Sequence, residues 1–65
     1  MTLEKARELL RIQVELGSGY NRNSARLILA EVQREHGQGA VDQLIRELKL
    51  EEAFDLKPGT GFKGP

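Results

Sequence analysis

The chain has 65 residues, ten basic and ten acidic, with no cysteine and a single histidine. That length allows one domain, which buries only about 60% of its unfolded surface and is therefore marginally stable. The composition excludes disulfides and thiolate metal sites and argues against a protein-only zinc site, so no metal and no cofactor are expected.

Charge is balanced along the chain as well as overall. Met1 to His36 carries six basic and five acidic side chains, and the remainder four and five. A dedicated nucleic-acid or anionic-membrane binder shows a basic excess, which is absent here. No apolar run is long enough for a signal peptide or a membrane span, so a soluble cytoplasmic protein with no membrane partner is the expectation.

The first predicted helix covers about residues 3–16, with Thr2 as its N-cap. At 100° per residue, Glu4, Arg7, Glu8, Arg11 and Glu15 collect in one arc. Glu8 with Arg11 and Arg11 with Glu15 have the spacing of helical ion pairs. Leu3, Ala6, Leu9, Leu10, Ile12, Val14 and Leu16 fill an apolar arc of about 200° on the other side. That is more than one neighbour can cover. Either this helix touches both others or part of it faces a partner chain. Gln13 lies inside the arc and needs hydrogen-bond partners or a seam with water or another subunit.

Gly17-Ser18-Gly19 ends the first helix, and Asn21 or Asn23 is expected to cap the second, over about residues 22–36. Two readings beyond punctuation attach to this connection. Flexible backbone at a helix N-terminus, with Arg22 and Arg26 nearby, could hold a phosphate, although neither a preceding strand nor a Gly-Lys-Ser/Thr makes it a nucleotide loop. Alternatively Tyr20, one of three aromatics, is a loop anchor for a protein partner.

In the second helix, Leu27-Ile28-Leu29-Ala30 is apolar on every side, so this helix needs more than one neighbour and is expected at the centre of the domain. Leu27 lies either beneath the first helix or in an exposed patch. His36 suits the last turn, where an imidazole meets the negative end of the helix dipole.

The third helix is predicted over about residues 39–49, with Ala40, Val41, Leu44, Ile45 and Leu48 as its stripe. Leu50 falls out of phase. A break near Lys49 or Leu50 and a short turn over 51–55 follow, with Leu50, Ala53 and Phe54 facing the bundle. Pro58-Gly59 stops it, and residues 57–65 read as a flexible tail in which Phe62 is either docked or a short-motif anchor. The fold class is all-α: a small three-helix bundle over residues 1–56 with an extra turn and a tail.

Gly19-Tyr20 in the first loop, Ala25 early in the second helix and Ala40-Val41-Asp42-Gln43-Leu44-Ile45 in the third together resemble the ubiquitin-associated (UBA-like) three-helix domains. Gly17-Ser18-Gly19-Tyr20 is also similar to the loop of the UBA-like N-terminal domain of bacterial elongation factor Ts. The resemblance covers Gly17 to Ile45. It departs from the family pattern at Ser18, where a methionine is usual, and at Gly37, which comes late. It implies protein binding through Gly19, Tyr20, Leu44 and Leu48, with Leu50 at the rim.

Three function classes follow. The leading one is a non-catalytic helical interaction module, an adaptor or regulator docking through an apolar surface that includes Leu27, on a protein partner or a second copy of itself. The alternative is a nucleic-acid-binding regulator using Arg7, Arg11, Arg22 and Arg26. An enzyme is not expected, because a bundle this small has little room for a pocket of convergent groups.

Overall fold

The computed structural model describes residues 1–17 and 21–62. It is all-helical: α1 (Leu3–Leu16), α2 (Asn21–His36), α3 (Gln38–Glu47) and α4 (Leu50–Phe54) follow one another, and among the described residues there is no strand.

Local chemistry sets the boundaries of α1. The Thr2 hydroxyl accepts from the Lys5 amide at 3.0 Å, satisfying one of the donors that a helix start leaves unpaired. Gly17 closes the helix in the left-handed conformation (φ 65°), its amide donating to the Gln13 carbonyl at 3.3 Å. The expected cap Asn21 lies inside α2, and its side-chain amide donates to that same Gln13 carbonyl at 3.4 Å. This bond ties the start of α2 to the end of α1.

A single residue, Gly37, joins α2 to α3. Its backbone, at φ 91° and ψ 174°, is in a region open essentially to glycine alone. The break after α3 comes at Lys49, which is left-handed at φ 55° without being glycine. The helix ends at Glu47 rather than Lys49, and the turn brings Leu50 back into phase with the core. Ala53, expected to face the bundle, is exposed. In a five-residue helix only one side can face inward, and Leu50 and Phe54 occupy it.

The central position of α2 is explicit: α1 and α3 each pack along it, and α4 packs on α3. Ala25, Leu29, Ala30 and Val32 of α2 are buried with Ala6 and Leu10 of α1, Val41, Leu44 and Ile45 of α3, and Leu50 and Phe54 of α4. Of the four-residue apolar run, Leu29 and Ala30 are buried and Ile28 partly so, while Leu27 is 55% exposed.

Residues 57–62 correct the expectation of a flexible tail. The chain after α4 folds back as a strap, with Leu56 and Phe62 buried in the core cluster. Its backbone is pinned by α2 and α3. The Phe62 amide donates to the Gln33 side-chain oxygen at 2.7 Å, and the Gly59 amide to the Asp42 carboxylate at 2.8 Å. Gln38 donates to both the Thr60 carbonyl and Asp42, at 3.0 and 2.9 Å. The Gly59 bond, then the Gln38 bond, then the nearby Arg46 charge hold the Asp42 carboxyl below its ordinary range.

None of the ion pairs among the described residues runs along α1. Arg7 of α1 pairs with Glu47 of α3, and Arg34 with Glu31 within α2. The Arg7 contact is made through its Nε, which lies against the Glu47 carboxylate. The Met1 amino group donates to Glu35 at 2.9 Å, and His36 hydrogen-bonds to the Met1 carbonyl oxygen at 2.9 Å. The Met1–Glu35 bond is the main cause of a raised amino pKa and a lowered Glu35 pKa. Glu8–Arg11 and Arg11–Glu15 are not among the pairs formed.

Candidate functional site

Three large side chains of α1 and α2 stay in solvent although a complete core lies beneath them. Ile12 is 44%, Leu16 65% and Leu27 55% exposed. Their placement follows from the register of the two antiparallel helices. Gln13 meets Asn21 at one end of the pair and Met1 meets Glu35 at the other, which sets Leu27 level with the middle of α1. Arg7, reaching Glu47, marks the side of α1 turned toward α3. At 100° per residue, Ile12 and Leu16 lie on the opposite flank of α1, with the half-buried Leu9. Leu27 lies on the matching flank of α2. All four therefore share the side of the α1–α2 pair away from α3.

The other sides of α2 are taken. α1 covers one, α3 a second, and the strap a third through the Phe62–Gln33 bond. The 200° apolar arc of α1 thus divides into Ala6 and Leu10 in the core and Ile12 and Leu16 outside it. Gln13 is half-buried, and its backbone carbonyl, not its side chain, organises the α1–α2 corner.

The candidate protein-binding residues separate on this geometry. Leu27 is exposed. Leu44, at 1%, and Leu50, at 0%, are fully buried and present no surface. Their apolar spacing belongs to the core stripe: Leu44 sits on the inner face of α3, and the left-handed Lys49 rotates Leu50 inward. Leu48 is partly buried against the core. Gly19 and Tyr20 lie outside the described residues. Ile12 and Leu16 were not singled out by sequence reasoning, though the excess width of the α1 arc was their signal.

The four arginines do not form one surface. Arg7 and Arg11 line a shallow depression with Glu4 and Glu8, so cations and carboxylates alternate there. Arg22 and Arg26 line a different one with the strap. Arg22 is oriented by its Nε, which donates to the Phe54 carbonyl at the end of α4 at 2.8 Å.

Among the described residues, no group of three or more His, Asp or Glu side chains is placed to hold a metal ion, and no helix is long and apolar enough to cross a membrane. No protein-family model matches the chain, and neither does a curated protein or a solved structure.

Proposed function

We propose that this chain is a small non-catalytic helical interaction module that docks on a protein partner through the Ile12–Leu16–Leu27 face. The observation that carries the reading is the division of apolar side chains around α2. The core is closed by the chain's own elements, yet Leu16 and Leu27 remain more than half exposed on one side. Large apolar side chains that the fold leaves uncovered on one side are the feature that supports an interaction site.

The partner that fits is an amphipathic helix. The face runs along two antiparallel helices, a shape that receives a third helix, with Ile12 and Leu16 one turn apart to meet apolar residues at i and i+3 or i+4. Its borders carry both signs of charge, Lys5 and Arg34 as well as Glu8 and Glu15, so it suits a partner helix of mixed charge. The UBA-like resemblance points to the same class of activity. Leu16 stands four positions before Tyr20 in the chain, just ahead of the Gly17–Ile45 stretch that the resemblance covers.

The test is capture through a photoreactive side chain placed at position 27, with crosslinked peptides identified by mass spectrometry. The expected crosslinks fall in a helix-forming segment with apolar residues at i and i+3 or i+4, survive nuclease, and disappear with Leu16→Ser while helicity is retained. Crosslinks to the same chain would identify a homodimer as the docked state. Capture unaffected by Leu16→Ser, or abolished by nuclease, contradicts the reading.

A further inference from the structure

We infer that the depression between α2 and the strap is a binding site for a phosphate monoester. It has a volume of about 340 Å³ and brings together Arg22 and Arg26 from α2 with Lys57 from the strap, more than thirty positions later in the chain. Thr60 adds a hydroxyl, and Asp55 is the only carboxylate in the lining.

Charge is unbalanced within this lining. The chain as a whole is neutral, and Arg7, Arg34 and the Met1 amino group are all paired with carboxylates. Arg22, Arg26 and Lys57 are not within ion-pair distance of any carboxylate of the described residues. Within the lining, three cations stand against one carboxylate, and Glu51 and Glu52 border Arg22 only on its other side, in an adjoining depression. Arg22 and Arg26 are also like charges at i,i+4, an arrangement that costs stability unless an anion offsets it.

The geometry is partly prepared for such an anion. With its Nε committed to the Phe54 carbonyl, the Arg22 guanidinium keeps its two terminal nitrogens for a fork-shaped contact with oxygen atoms. Arg22 is the second residue of α2, so the positive end of that helix dipole adds to the same field. The depression is several times larger than a phosphate group. A phosphate carrying an organic body therefore fills it better than inorganic phosphate alone. This site is separate from the Ile12–Leu16–Leu27 face, and either can fail without the other.

The experiment is an NMR titration of the full chain at constant ionic strength, with inorganic phosphate in one arm and phenyl phosphate in the other. Saturable shifts are expected at the Arg22 side-chain Nε–H and the Thr60 and Gly61 amides, with phenyl phosphate binding several-fold more tightly. Arg26→Gln combined with Lys57→Gln should weaken binding on the order of tenfold, as loss of two charge-assisted contacts implies. Asp55→Asn should tighten it. Asparagine tolerates the left-handed backbone of position 55 (φ 58°), so that variant reports even if the double variant fails to fold. No saturable shift in either arm, affinity unchanged by the double variant, or weakening by Asp55→Asn would overturn the inference. Binding of a single-stranded oligonucleotide without binding of phenyl phosphate would overturn it too.

Discussion

Two flanks of α2 each carry apolar side chains, and the fold treats them differently. On the flank that carries Ala30 and Gln33, the chain itself returns as the strap and buries Leu56 and Phe62. On the flank that carries Leu27, nothing in the described residues covers it. The difference lies in polar anchoring. An extended segment has backbone amides to satisfy, and Gln33, Asp42 and Gln38 stand where the strap's amides and carbonyls need partners. Beside Leu27 the neighbours are Asn23, Glu31 and Arg34, and Glu31 faces the Met1 amino group and Arg34. Apolar area alone therefore does not recruit a segment of the chain; fixed donors and acceptors at matching spacing do.

The strongest way to sharpen this contrast is to cut into the side of α2 that the fold uses. Leu29→Ala removes a fully buried side chain and should cost about 2–5 kcal/mol, most of the stability of a domain this small. Chemical denaturation of the purified variant measures it, and a loss below about 1 kcal/mol would mean that α2 is not the centre of the core.

Next in size is the joint between α2 and α3. A methyl group at Gly37 would meet no atom within 4 Å, so Gly37→Ala tests the backbone alone and should cost about 1–3 kcal/mol. A neutral result would show that the one-residue connection is not held at φ 91° in solution.

The smallest expected effect concerns the strap. Asp42 has a lowered pKa, so the folded state favours its ionised form, and its contribution is fully present above the usual value near 3.8. It is lost as pH falls through the lowered folded-state value. Hydrogen exchange at the Gly59 and Phe62 amides should therefore accelerate on acidification below that range, beyond the intrinsic pH trend. In Asp42→Asn this extra acceleration should be absent. Equal behaviour of the two proteins would assign the strap's attachment to Phe62 burial and the Gln33 and Gln38 bonds.

Much of this architecture is legible in the amino-acid sequence because its causes are local. Thr2 and Gly17 act within one turn of their own positions, and the out-of-phase Leu50 announces the corner at Lys49. The four-residue apolar run marks α2 as the helix that needs several neighbours. What escaped local reasoning depends on distant parts of the chain. Phe62 docks because Gln33, 29 positions earlier, accepts its amide hydrogen bond, and no periodicity reports that. Leu44 and Leu50 have the same apolar character as Leu27, and only the packing of α3 and α4 decides that two are buried and one is not. The excess width of the α1 arc could be read in advance; which residues would be left over could not.

The measurement that bears most directly on the central claim is equilibrium denaturation of a Leu16→Ser, Leu27→Ser double variant beside the wild type, at two protein concentrations. If the exposed face is reserved for a partner, the unfolding free energy stays within about 0.5 kcal/mol of wild type and is independent of concentration. A loss comparable to that of Leu29→Ala would show that Leu16 and Leu27 belong to the folded core and contradict the account.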